Sequence, residues 1–134
     1  MGEQNSGKLN RLLASLGDTG LVSSRRLRTL GYQSSLVSRY VASGWLVSPA
    51  RGGYQRQGAY LQWAGVVSSL QMGEGEPLHV GGRFALALQG HEHYLRLGDA
   101  SNVTLYGPRQ PPGWLFRLPL RERFEYLGKG PFDL

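Results

Sequence analysis

Apolar residues recur at helical spacing three times in the first third of the chain. Leu9, Leu12, Leu13 and Leu16 fall at i, i+3, i+4 and i+7, one stripe of a helix over 7–17 with Gly17 as its stop. Gly20-Leu21-Val22 makes a short extended link, and Ser23 or Ser24 can cap a second helix with apolar positions Leu27 and Leu30, closed by Gly31. The stretch YQSSLVSRYVASGWL, residues 32–46, then predicts a third. Its inward set is Leu36, Val37, Tyr40 and Val41, and its outward set is Gln33, Ser34, Ser35, Ser38, Arg39 and Ala42. Trp45-Leu46-Val47 and Tyr54 to Tyr60 are strand-like runs around the turn PARGG, hence a β-hairpin. Three helices followed by a hairpin is the order of a winged helix-turn-helix, in which the second helix of the pair enters the major groove and the wing reaches a neighbouring phosphate run or minor groove.

Beyond the hairpin, WAGVVSSLQM at 63–72 reads as a short apolar packing helix, and GEGEP at 73–77 as a flexible acidic break. This divides the chain into a helix-turn-helix domain over 1–75 and a C-terminal segment over 76–134. The second part holds a strand start at LHV, a helix carrying Phe84, Leu86, Ala87 and Leu88, and a strand at VTLYG, residues 103–107. RQPPGWLFRLP cannot be regular helix because of its prolines and reads as a loop with an extended tail. The expected class is α+β: a winged helix followed by a small, incomplete α/β segment.

Charge sharpens this division. Up to residue 62, Lys8, Arg11, Arg25, Arg26, Arg28, Arg39, Arg51 and Arg56 face only Glu3 and Asp18, whereas from 63 onward seven basic residues meet seven acids. The first segment therefore carries the whole net charge of +6, the signature of a polyanion-binding module joined to a neutral one. No acid occurs between Asp18 and Glu74. A solvated helix face ordinarily mixes Glu with Lys, whereas a face pressed against phosphates and base edges excludes carboxylates and keeps side chains short.

Candidate chemistry adds little. There are no cysteines, so disulfides, zinc–thiolate sites and cysteine nucleophiles are excluded. His91 and His93 would diverge by about 200° on a helix and lack a third ligand on a strand, so they are read as polar residues beside a packing Tyr94 and no metal is expected. Gly81-Gly82 belongs to neither a Walker loop nor a dinucleotide fingerprint and is read as a tight strand-to-helix entry, so no cofactor is expected. No nucleophile–base–acid set is visible, which argues against an enzyme. Trp45, Trp63 and Trp114 are isolated and read as core anchors, so duplex binding is favoured over single-strand stacking. No apolar run approaches the ~20 residues of a membrane span, MGEQNSGKLN is too polar for a signal peptide, and the match of MGEQNS to an N-myristoylation pattern is of a kind that arises by chance. A cytoplasmic protein is expected.

The stretches LNRLLASLG, LVSSRRLRTLGYQSSLVSRYVASGWLVSPARGGYQRQG, LHVGGRFALALQGHEHYLRLG, VTLYGP and PPGWL together resemble the AbiEi family of type IV, abortive-infection antitoxins, GGRFALALQGHEHYL being the most specific block. The resemblance runs from about Leu9 to Phe124, with a C-terminal domain that looks shortened. It implies an N-terminal winged helix that represses an antitoxin–toxin operon by binding inverted repeats in its promoter. It also implies a C-terminal domain that neutralises a nucleotidyltransferase-like toxin without a stable complex.

On this reading Gln33, Ser34, Ser35, Ser38 and Arg39 face the groove, with Gln33 suited to adenine and Arg39 to guanine or a phosphate. Ser24, Arg25, Arg26 and Arg28 serve the backbone phosphates, and Arg51, Tyr54 and Arg56 belong to the wing. The partner is double-stranded DNA, bound by two copies of a monomer or weak dimer. The competing reading is a protein-interaction module that neutralises the toxin without DNA binding as its main role.

Overall fold

The computed structural model describes residues 2–81 and 102–128, with side chains from Gly7 onward. The Gly82 half of the glycine pair, the expected helix with Phe84, Leu86, Ala87 and Leu88, and the His91-Glu92-His93 group lie outside the described residues. The class is α+β. Helix α1 spans Gly2–Leu16, longer at its start than the apolar stripe predicts. Strand β1 (Val22–Ser23), helix α2 (Ser24–Thr29), helix α3 (Ser34–Ala42), strand β2 (Leu46–Ala50) and strand β3 (Gly53–Arg56) follow. Helix α4 (Trp63–Ser68) runs into a π-helical turn at Ser69–Gly73, and then come β4 (His79–Val80), β5 (Asn102–Tyr106), a 3-10 turn at Gly113–Arg117 and β6 (Arg123–Tyr126).

Helices α2 and α3 end in the same way. At the end of α2, Gly31 at φ 95° donates its N–H to Arg28 O and Tyr32 N–H reaches Leu27 O. At the end of α3, Gly44 at φ 84° donates to Val41 O and Trp45 N–H reaches Tyr40 O. Both are Schellman endings, which satisfy the last orphan carbonyls and need a residue free to take positive φ. Leu30 and Trp45 stand beside these turns and are 48% and 51% exposed, and Val41 is 38% exposed. That corrects three expected core positions: Leu30 and Trp45 are turned outward where the chain reverses, and Val41, still inside α3, is rotated about 100° from the buried Tyr40 toward the exposed arc.

Two antiparallel pairings join β1, β3 and β2, in that order, into one sheet. The turn between β2 and β3 is only Arg51-Gly52, tighter than the five-residue turn expected, with Gly52 at φ 95°. Pro49 is tolerated inside β2 because this is an edge strand whose register slips between Val47 and Ala50. A second small sheet orders β4, β5 and β6, with β5 and β6 parallel. β6 was not legible in the sequence. The expected loop at 109–119 contains the 3-10 turn, which shelters Trp114 and Leu115 from solvent.

Among the described residues the core forms two clusters. Leu9, Leu12, Val22, Leu27, Tyr32, Val37, Tyr40 and Leu46 pack the three N-terminal helices against the hairpin. Leu21, Ala50, Trp63, Val66, Val67, Leu70, Leu78, Val103, Leu105, Trp114 and Leu115 form the other. This second cluster draws residues from both sides of the 73–77 stretch. Gly65 lets α4 approach the link between α1 and β1: a Cβ there would stand 2.6 Å from Thr19 Cβ and 2.7 Å from Thr19 O. Gly65→Ala must displace backbone as well as side chain. It should lower stability by about 1–3 kcal/mol, read as an earlier midpoint in urea unfolding.

Candidate nucleic-acid interface

The α3 surface follows from its burial. At about 100° per residue, Val37 and Tyr40 point to the core and Leu36 flanks them, half-buried. The opposite arc carries Ser34, Ser35, Ser38, Arg39, Val41 and Ala42, all exposed. Gln33 sits at the N-cap with its side chain unspent on capping and exposed to solvent. Ser34, Ser35, Ser38 and Arg39 thus share one accessible arc, and Gln33 is exposed at the start of the helix. Tyr40, beneath it, packs edge-on to Tyr32 at 6.5 Å between ring centroids. Burial, reinforced by Tyr32, raises its phenol above the ordinary value of 10.0 against a lowering effect of Arg39.

The basic residues divide into those that serve the fold and those left to solvent. Lys8 donates to Gly31 O at 2.5 Å and lies 4.9 Å from the centroid of the Tyr32 ring, so its charge is placed on the turn between α2 and α3. Tyr32 in turn donates to Lys8 O at 2.8 Å. Arg25, Arg28, Arg39 and Arg51 are exposed, and Arg26 is half-buried. Arg25 and Arg26, with Thr29, line a polar cavity of about 200 Å³ whose other walls are Glu74, Glu76 and Arg109. Glu76, only 13% exposed, has its Oε2 3.4 Å from Arg109 Nε, a charge contact rather than a hydrogen bond. Acids that the sequence places after the basic segment therefore return to it at α2.

Glu74 returns most firmly. Its Oε2 accepts from Ser23 N–H at 3.0 Å and its Oε1 from Ser23 Oγ at 2.5 Å. Ser23 Oγ accepts from Arg26 N–H at 3.0 Å and so caps α2. Ser23, not Ser24, is the cap, and Ser24 is half-buried. No sequence pattern announces this contact, since 51 positions separate its partners.

The hairpin residues are spread along its length. Arg51 lies at the tip, exposed. Tyr54 pairs with Val22 and packs half-buried against the N-terminal core. Arg56 pairs with Leu46, roughly 13 Å from the tip at ~3.3 Å per residue, and is half-buried. Tyr54 is thus held by packing, while Arg51 is free to point at a partner. The tip itself rests on the chain's last third: Gly52 and Gly53 lie against the Trp114 ring, and Arg117 Nη2 donates to Arg51 O at 3.2 Å.

A family model described as "Transcriptional regulator, AbiEi antitoxin N-terminal domain" matches residues 5–97, more than half of the chain. The chain belongs to the AbiEi antitoxin family. The family description makes it a transcriptional regulator that serves as the antitoxin of a toxin–antitoxin system. No curated protein and no solved structure matches it. Among the described residues no group of three His, Asp or Glu side chains is placed to hold a metal ion, and no helix is long and apolar enough to cross a membrane.

The Ser23–Glu74 contact makes its own prediction for this AbiEi chain. Ser23→Ala removes a helix cap and a charge-assisted hydrogen bond and should cost about 1–3 kcal/mol. Glu74→Ala should cost less alone, and the double variant should cost less than the two single losses combined by about 1 kcal/mol or more. Urea unfolding of the four proteins measures the coupling; additive losses would show that the two groups act independently.

Proposed function

We propose that this AbiEi chain is a sequence-specific duplex-DNA-binding repressor of its own toxin–antitoxin operon, acting in the cytoplasm through a winged helix-turn-helix within residues 1–75. The observation that carries this is the topology: α1, β1, α2, α3, β2, β3 with sheet order β1-β3-β2. This order supports the winged-helix reading, and the acid-free face of α3 is outward. α3 then serves as the recognition helix, with Gln33, Ser34, Ser35, Ser38 and Arg39 toward the major groove. Arg25 and Arg28 lie along the phosphates, and Arg51 is the wing contact. Ser24, Arg26, Tyr54 and Arg56, each half-buried, serve mainly to hold those surfaces in place. Binding to promoter inverted repeats places two copies on the DNA. Residues 76–134 then form the smaller segment, the part that the family's antitoxin role directs at a nucleotidyltransferase-like toxin.

The test uses two duplexes: the DNA immediately upstream of the chain's own reading frame, and a random sequence of equal length. Affinity for both should fall steeply with salt as counterions are released. A flat plot of log K against log salt would sink the DNA reading and favour a module that acts on protein partners. Arg39→Ala should narrow the gap between the two duplexes by about 1–3 kcal/mol, whereas Arg51→Ala should weaken both alike. Identical behaviour of the two variants would show that α3 and the hairpin are wrongly assigned.

A further inference from the structure

A wing is ordinarily a hairpin whose tip stands free of the body that carries it. Here the tip is seated. Gly53 and Gly52 approach the Trp114 ring so closely that a Cβ on them would stand 3.3 Å and 3.5 Å from ring atoms. Trp114 is 5% exposed and shares a core cluster with Ala50, the last residue of β2. One turn of 3-10 helix further along the chain, Arg117 turns back and donates through Nη2 to the carbonyl of Arg51. Both arginines are exposed. Neither forms an ion pair with an acid among the described residues, where the single salt bridge joins Arg109 to Glu76.

The contact has a chemical consequence. A guanidinium carries five N–H donors in a planar fork. The Arg51 carbonyl uses one donor of Arg117 and leaves the other N–H groups of its exposed guanidinium available to a further acceptor. Arg117 is thereby held beside the backbone of the hairpin's own exposed arginine, although 66 positions separate the two. Two exposed arginines joined through the backbone of one tip, neither paired with an acid among the described residues, suit an anion with oxygens on more than one side, and a nucleic-acid phosphate has that form.

We propose that Arg117 is a phosphate-binding residue, and that it and Arg51 form a two-arginine clamp on the DNA backbone at the tip of the hairpin. The proposal rests on the DNA-binding reading above and adds to it a contact from beyond the helix-turn-helix segment. The 3-10 turn is in effect the outer layer of the wing: Trp114 fixes the glycine tip, and Arg117 supplies the second charge.

The experiment titrates the full chain, as wild type, Arg117→Ala and Arg117→Lys, onto the same upstream and random duplexes over a series of salt concentrations. Thermal melts establish that each variant is folded. Loss of one phosphate contact makes the slope of log K against log salt shallower by about 0.9, and Arg117→Ala should show that change on both duplexes equally. Arg117→Lys keeps the charge without the fork and should restore most of the slope. An Arg117→Ala variant with wild-type affinity and slope would overturn the clamp while leaving the DNA reading intact. If Arg117→Ala and Arg117→Lys lost affinity alike at an unchanged slope, Arg117 would only position the tip and the clamp would equally be overturned. Wild-type protein that failed to bind, or bound without salt dependence, would remove the DNA reading and the clamp with it. Trp114→Phe, which keeps a ring against the glycines, should retain the wild-type slope. Loss of slope there would place the salt-sensitive contact in the packing of the tip and not in the guanidinium.

Discussion

Ser23 is the joint on which the N-terminal half turns. Its backbone belongs to β1 and pairs opposite Gly53 of the hairpin. Its hydroxyl starts α2 by accepting from Arg26 N–H, and the same hydroxyl and its own N–H are held by Glu74. The neighbouring Ser24 N–H bonds Gly52 O at the hairpin turn. One buried serine thus meets the first helix of the pair, the hairpin tip and the chain that leaves α4. A buried hydroxyl left without these partners would carry its full desolvation cost, so the joint is satisfied only when all three elements are in place. Helix placement and hairpin placement are therefore set together.

What Ser23 does at the start of α2, the paired glycine endings do at its close and at that of α3. A Schellman ending fixes the direction in which the chain leaves a helix. Two in succession, at Gly31 and Gly44, fix first the angle of α3 on α2 and then the entry into β2. Lys8 adds a cation to the first of these turns, where the carbonyl end of α2 favours positive charge. The exposed arc of α3 is thus oriented by backbone geometry, and the short side chains it carries are left without a structural task. The exposed Leu30 and Trp45 follow from the same geometry, since each lies where the chain has already begun to reverse, whereas Val41 sits in the last turn of α3 at the edge of its buried stripe.

Local signals were legible in the sequence and distant ones were not. The leucine stripe of α1, the serine cap, the glycine stops and the hairpin each arise from residues within a few positions of one another, and sequence spacing reports such relations directly. Val41 and Trp45 were misjudged because helical periodicity does not say where a helix stops facing the core. β6 was missed because its pairing partner is supplied by β5, about twenty residues earlier, through a parallel register. The charge pattern located the basic half correctly in sequence but not in space: Glu74 and Glu76 fold back onto α2, so Arg26 faces carboxylates that the segment itself lacks. The α3 face, drawn from periodicity alone, was readable except at Val41. The hairpin tip, which depends on Trp114 and Arg117, was not.

The seating of the tip bears on how the two halves of the chain divide their work. Acidic composition at 73–77 suggests a free linker, yet Glu74 is bound at Ser23, and the cluster around Val66 and Leu105 joins residues on both sides of that stretch. A free linker would let the hairpin keep the same conformation whatever the later segment did. Instead, the second cluster contains Ala50 from the hairpin and Leu21 from beside β1, so displacement of the later segment would expose apolar surface on the very elements that frame α3. On the repressor reading, any partner that pulled at residues 103–117 would act on the hairpin through Trp114 and on the start of α2 through Glu74. Both routes are short and pass through packed or hydrogen-bonded groups, and they bypass α3. Such a partner would therefore change affinity for DNA more than it changed which sequence is preferred.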